Sequence, residues 1–163
     1  MSIVIVTRNR LSSLLRTLAP LSPASSAHSV IVVDNGSTDG TADVVPTAFP
    51  DVELLRSDRN LGATGRTLGV LHASTPYVAF SDDDSWWAPG ALDRAVEAFE
   101  AFPRLALAAA RVEVGAKRAV DPTSVAMASS PIPSQPDLPG PPVLGFLACA
   151  AVVRRSAYID VGG

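Results

Sequence analysis

The chain has 163 residues, enough for one domain with its own core and no need of disulfide or metal staples. Its formal net charge of -3 gives no basic footprint, which argues against nucleic acid or an anionic membrane surface as the primary partner. The single cysteine, Cys149 in "FLACAAVV", reads as a small buried apolar residue and points to a reducing, cytosolic setting.

The opening "MSIVIVTRNR" places an apolar run before its arginines, the wrong order for a signal peptide. No apolar stretch approaches the roughly 20 residues needed to span a bilayer, and the chain reads as soluble. "SIVIV", residues 2 to 6, is β-branched without polar alternation, as expected of a strand covered on both faces. "RLSSLLRTLAPL" then sets Leu11, Leu14, Leu15 and Leu18 at helical spacing. "SVIVVDNGSTDGTADVV" repeats the plan, with a buried strand at 30 to 33, a polar turn and a short helix predicted to start near Thr38 or Asp39. "VELLRSDRN" offers a third strand, "LGATGRTLGVLHAS" a third helix despite its glycines, and "YVAF" a fourth strand.

"PGALDRAVEAFEAFP" follows as an amphipathic helix with Pro89 in its first turn, and "LALAAARVEV" as a further strand. Seven prolines lie between Pro122 and Pro142, so residues 121–143 are expected to form a long irregular loop. "VLGFLACAAVV" returns to an apolar run, and "RRSAYIDVGG" reads as a short helical tail. Strands alternating with helices imply βαβ units and a mostly parallel sheet flanked by helices. In such sheets ligands sit at the carboxyl ends of the strands. The polar clusters after "SIVIV", "VIVV" and "YVAF" all fall there.

Each cluster has a plain reading beside a functional one. "VDNGSTDGT" is composed of turn formers, yet Asp34 at a strand exit also suits hydrogen bonding to a nucleoside. In "NLGATGRTLG" the glycines Gly62, Gly65 and Gly69 fit neither the dinucleotide fingerprint nor the P-loop. They serve either close helix-on-strand packing or the approach of a phosphorylated ligand, with Arg66 available to a diphosphate. Asp82, Asp83 and Asp84 are hard oxygen donors at a strand end, suited to Mg²⁺ or Mn²⁺ held by one or two carboxylates and the substrate's phosphates. His28 and His72 read as structural, and at least one of Trp86 and Trp87 as a core residue.

Taken in order, "SIVIVTRNR", "VIVVDNGSTDGT", "RNLGATGRTLGV" and "PYVAFSDDDSWWAPGAL" closely resemble the inverting family 2 glycosyltransferases with the GT-A fold, strongly over residues 2 to 95 and more weakly over 143 to 163. The resemblance implies one GT-A domain over residues 1–163, with a Rossmann-like nucleotide-sugar-binding half at 1–103 and part of an acceptor half at 104–163. It implies that Thr7, Arg8 and Asn9 line the nucleotide and that Asp34 reads the base. Asn35, Gly36 and Ser37 continue that loop, and Asn60, Gly62 and Arg66 lie beside the ribose and diphosphate. Asp82 and Asp84 match the D-x-D pair, Asp84 as the direct metal ligand and Asp82 nearer the ribose, with Asp83 between them.

The implied activity is metal-assisted, inverting transfer of a sugar from a nucleoside-diphosphate donor to an acceptor that is a saccharide, a lipid-linked molecule or a small molecule. It places the protein in the cytoplasm or at the inner face of the membrane. The family's catalytic base usually follows a stretch like "VVRRSAYIDVGG", so it is expected beyond Gly163, and no residue of this chain is assigned that role. Asp160 is the last acid and precedes the expected position. The alternative is a truncated, non-catalytic nucleotide-sugar-binding domain. A nucleotidyltransferase and a Rossmann dehydrogenase are disfavoured, because no glycine-rich loop follows the first strand.

Overall fold

In the computed structural model, residues 1–21 and 28–163 are described. Strand β1 (Ser2–Thr7) leads into helix α1 (Leu11–Leu18), and β2 (Ser29–Asp34) into α2 (Thr41–Ala48). β3 (Glu53–Arg56), α3 (Gly65–His72), β4 (Tyr77–Asp82) and α4 (Ala91–Ala101) follow. The remaining elements are β5 (Leu107–Ala109), β6 (Glu113–Val114), β7 (Ala119–Val120), α5 (Pro122–Ala128), β8 (Ala151–Arg154) and α6 (Arg155–Asp160).

Six strands form one sheet in the order β3-β2-β1-β4-β8-β5. β1 to β4 are mutually parallel, whereas β8 runs antiparallel to both β4 and β5. The alternation of side chains along a strand divides the core into two layers. Ile3, Ile5, Val30, Val32 and Ala79 pack with Leu14, Leu18, Val45, Leu92 and Phe99 on one face. Val4, Ile31, Val33, Val78 and Phe80 pack with Val70 on the other. Because β1 is buried on both sides, its run has no polar position between Ser2 and Thr7.

The glycines of α3 make the second layer close. A Cβ on Gly69 would lie 2.5 Å from Val4 Cγ1, and one on Gly65 would lie 3.1 Å from Val6 Cγ1. The helix therefore seats directly on β1, which is the packing reading of these two residues. Gly62 differs, since its φ of +59° opens the 3₁₀ turn ahead of α3 and its Cβ position meets nothing.

Several elements depart from expectation, each for a local reason. α2 begins at Thr41, after Gly40 at φ +88°, because Asp39 accepts hydrogen bonds from the Thr41 amide (3.2 Å) and hydroxyl (2.6 Å) and stays outside the helix. Asp39 also accepts from the Leu11 amide at 2.9 Å, so one carboxylate caps the start of α1 and turns the chain into α2. "LALAAARVEV" is split, with β5 in the main sheet and β6 paired only with β7 in a two-stranded ribbon. The proline-rich segment is not irregular throughout, for its first residues form α5. Asp121 accepts from the Thr123 amide as N-cap and Pro122 occupies the first turn, a start signal that the later prolines obscure. Of "VLGFLACAAVV" only its end enters the sheet, as β8, and half-buried Cys149 sits in the 3₁₀ turn before it.

Gly69→Ala is expected to lower stability by about 1–3 kcal/mol, because α3 must lift from β1 to admit the methyl group; urea unfolding checks this. Asp39→Ala should cost about 1 kcal/mol at pH 7 through the lost cap. The Thr41 hydroxyl holds the Asp39 carboxyl below the ordinary carboxylate range. That contribution is therefore full above the ordinary value and lost as pH falls through the lowered one. Urea midpoints of the two proteins should converge below about pH 4.

Candidate functional site

The parallel register brings the ends of four strands to one edge, with Thr7 beside Asp34, Asp34 beside Arg56, and Val6 beside Asp82. The loops leaving β1 and β2 are laced together there. Asn9, at φ +53°, donates its amide to Ser37 Oγ (3.0 Å) and accepts from the Thr38 amide at Oδ1 (2.7 Å). Ser37 N–H donates to Asp34 Oδ1 at 2.8 Å. Asp34 is completely buried, and its other oxygen, Oδ2, has no hydrogen-bond partner. A buried carboxylate oxygen left in this way is costly unless something else supplies a donor.

The next loop joins through Asn35. Its Nδ2 donates to Asn60 Oδ1 and to the Gly62 carbonyl, each at 3.1 Å, and its Oδ1 accepts from the Leu61 amide at 2.8 Å. Asn35 and Asn60 thus spend their side chains binding loop to loop. Gly36 lies at φ +76° with its Cβ position 3.1 Å from the backbone of Arg59, so both the dihedral and the space require glycine.

At the end of β4 the three aspartates point to different partners. Asp83 turns inward: Thr7 Oγ1 donates to its Oδ2 at 2.8 Å, Arg10 Nε lies 2.9 Å from its Oδ1, and Thr17 Oγ1 donates to its carbonyl at 2.8 Å. Burial pushes its carboxyl above the ordinary range, while Thr7 and Arg10 pull it back. Asp84 is half-exposed and accepts from Arg10 Nη2 at 2.6 Å. Asp82 accepts from Arg66 Nη2 at 2.7 Å, while its amide donates to Ser85 Oγ at 2.8 Å. Three adjacent negative charges are thereby held by two arginines.

Asp82 and Asp84 remain the accessible oxygen donors of the edge, and their chemistry suits a hard divalent cation completed by phosphate oxygens. Among the described residues no three His, Cys, Asp or Glu side chains gather into a group that could hold a metal ion. Arg66, while paired with Asp82, also lines a cleft of about 290 Å³ with Ala63, Thr64, Phe80, Phe146 and Tyr158, and its buried Nε has no partner. Trp87 packs against the core and Trp86 is 66% exposed, so one tryptophan is a packing residue. His72 pairs with Glu53 at 2.7 Å and His28 lies 3.6 Å from Asp93.

Thr7, Asn9, Asp34 to Ser37, Asn60, Gly62, Arg66 and Asp82 to Asp84 are thus tied to one edge by direct contacts. Arg8 is exposed in the same loop. Arg10 is the residue that sequence reasoning missed. It lies 74 positions from the carboxylate it grips, and nothing in "TRNR" distinguishes it from its neighbour Arg8.

The profile of glycosyl transferase family 2 matches residues 2–162. An N-acetylglucosaminyl-diphospho-decaprenol L-rhamnosyltransferase of Mycobacterium tuberculosis is 36% identical over 115 residues, covering 63% of this chain and 38% of that protein. Mannosyltransferase PcManGT of Pyrobaculum calidifontis, in complex with GDP-Man and Mn2+, superposes with a TM-score of 0.71 at 23% identity, over 99% of this chain and 46% of that one. TarS of S. aureus in complex with UDP-GlcNAc gives a TM-score of 0.72 at 20% identity, over 98% and 46%. The chain therefore spans less than half the length of these relatives, and the structural likeness establishes the GT-A fold. With the ordered motifs gathered on one sheet edge and the profile matching nearly end to end, the chain belongs to glycosyl transferase family 2.

Proposed function

We propose that this domain binds a nucleoside-diphosphate sugar at the carboxyl edge of β1, β2 and β4 and serves its metal-assisted, inverting transfer to an acceptor hydroxyl. The observation that carries the reading is Asp34, a fully buried carboxylate with Oδ2 unpartnered. A nucleobase N–H would supply the missing donor, and a single strand, β1, separates Asp34 from the acids of β4. The loop Thr7 to Asn9 and residues Gly36 and Ser37 shape the nucleotide's wall, with Gly62 and Arg66 on the diphosphate side.

Breaking the glycosidic bond leaves negative charge on the departing diphosphate, and catalysis follows from stabilising that charge where it develops. Arg66 meets this need, since its guanidinium already faces Asp82 and keeps one N–H unused. Mg²⁺ or Mn²⁺ held by Asp84, with Asp82 beside it, would add Lewis-acid stabilisation of the same charge. Manganese accompanies the nucleotide sugar in the Pyrobaculum structure, which supports that choice. An inverting transfer also requires a base for the acceptor proton. Asp82, Asp83 and Asp84 are engaged with arginines, and Asp160 closes α6 on its exposed side.

The mycobacterial relative's acceptor is decaprenol-linked by name, and a lipid-linked acceptor handled at the cytoplasmic membrane face is the reading extended to this protein. Among the described residues no helix is long and apolar enough to cross a membrane. A second reading, donor binding without transfer, rests on the engagement of Asp82, Asp83 and Asp84 with arginines, which leaves none of them free to take the acceptor proton.

Calorimetric titration with UDP, GDP and dTDP, each with and without Mn²⁺, tests both. At least one diphosphate should bind with an affinity that Mn²⁺ increases. Asp34→Asn should weaken it by about tenfold to a hundredfold, and Asp84→Ala should remove the metal dependence. Absence of binding by all three nucleotides, or an Asp84→Ala protein indistinguishable from wild type, overturns the reading. Free sugar or transfer product from the matching nucleotide sugar separates the enzyme from the binding domain.

A further inference from the structure

The arginine that grips the acidic edge is placed where a cation would otherwise sit. Arg10 Nε lies 2.9 Å from Asp83 Oδ1 and its Nη2 lies 2.6 Å from Asp84 Oδ2, so one guanidinium spans two consecutive carboxylates. The two arginines at this edge differ in freedom. Arg66 is largely buried, with 21% of its side chain exposed, whereas the Arg10 and Asp84 side chains are 52% and 54% exposed. Arg10 also stands at the open start of α1, where its backbone carbonyl accepts from the Ser13 and Leu14 amides while its side chain leaves the helix for β4. The side chain is therefore able to withdraw without disturbing the backbone that anchors it.

On the reading of Asp84 as the cation ligand, we propose that Arg10 is a positioning residue that acts as an internal counter-cation. It holds Asp84 in readiness, competes with the divalent ion for that carboxylate, and is displaced when the diphosphate arrives. A positive charge sharing a carboxylate with a divalent cation repels it, so the metal alone binds weakly to the ligand-free edge. A diphosphate reverses this. It brings oxygens that complete the ion's shell, and it offers the released guanidinium a bidentate partner of its own. Cation and nucleotide then favour one another's binding through Arg10, and the coupling is reciprocal. Asp83 stays behind in either state, kept in place by the hydroxyl of Thr7.

The test is Mn²⁺ alone, titrated without nucleotide and followed by the loss of the free-ion electron paramagnetic resonance signal. Arg10→Gln should bind Mn²⁺ about tenfold more tightly than wild type, the order expected for removing one nearby unit charge at an exposed site. Arg10→Lys keeps the charge but cannot span two carboxylates, and its affinity should fall between the two. Melting temperature gives an independent readout. Arg10→Gln should melt below wild type in EDTA, and Mn²⁺ should raise its melting temperature by more than it raises that of wild type.

Equal or weaker Mn²⁺ binding by both Arg10 variants overturns the counter-cation role. Where Arg10→Gln does bind Mn²⁺ more tightly, the double variant Arg10→Gln, Asp84→Asn tests the metal assignment separately. If the double variant keeps the tighter binding, the ion is not on Asp84 and the assignment falls. If it loses the tighter binding, both statements stand. No Mn²⁺ binding to any variant at millimolar metal overturns both.

Discussion

β1 is hydrogen-bonded to β2 on one side and to β4 on the other, and the side chains of Ile3, Val4 and Ile5 are fully buried. Everything functional about the edge depends on that double pairing. A parallel ladder aligns strand ends, so the register that sets Ile5 against Val32 and Ser81 also sets Thr7 against Asp34 and Val6 against Asp82. A slip of one residue would invert the faces of the strand and scatter the polar ends at the same time. The apolar run and the acidic edge are therefore one constraint viewed at its two ends.

The second constraint is electrostatic. Asp82, Asp83 and Asp84 would repel one another if left alone, and the fold answers with two arginines reaching in from opposite sides, Arg10 from the start of α1 and Arg66 from α3. The pairing sorts three chemically identical residues into different tasks. Asp83 is withdrawn into the junction of β1 and α1, while Asp82 and Asp84 stay accessible. Environment, more than residue type, distinguishes them, as it does for carboxylates generally.

The four parallel strands and the location of the edge were legible because each depends on local pattern: an apolar run, a polar cluster, a helical repeat. The motif order carried the resemblance to the family whose profile matches residues 2–162. What escaped was non-local or was decided by a single atom. Arg10 became visible only when β4 was seen to end beside α1. The antiparallel direction of β8 follows from its pairing with β4 and β5, and "VLGFLACAAVV" carries no mark of it. The start of α2 was misplaced because the side chain of Asp39 competes with the helix for the Thr41 amide, a choice made by geometry inside a turn where several residues could serve.

The reversed strand has a topological consequence. β8 runs down the sheet as β4 runs up, pairing Arg154 with Tyr77 at the end remote from the acids. α6 then starts where the Arg155 amide meets the Pro76 carbonyl, and climbs back along α3 until the Tyr158 hydroxyl lies 3.1 Å from Thr67 Oγ1. One antiparallel strand and a helix of six residues thus accomplish a round trip that a parallel strand would need a full crossover to make. Sequence-distant Arg66 and Tyr158 become neighbours on one wall, which makes the last turn of chain a structural dependant of the helix that carries the site's buried arginine.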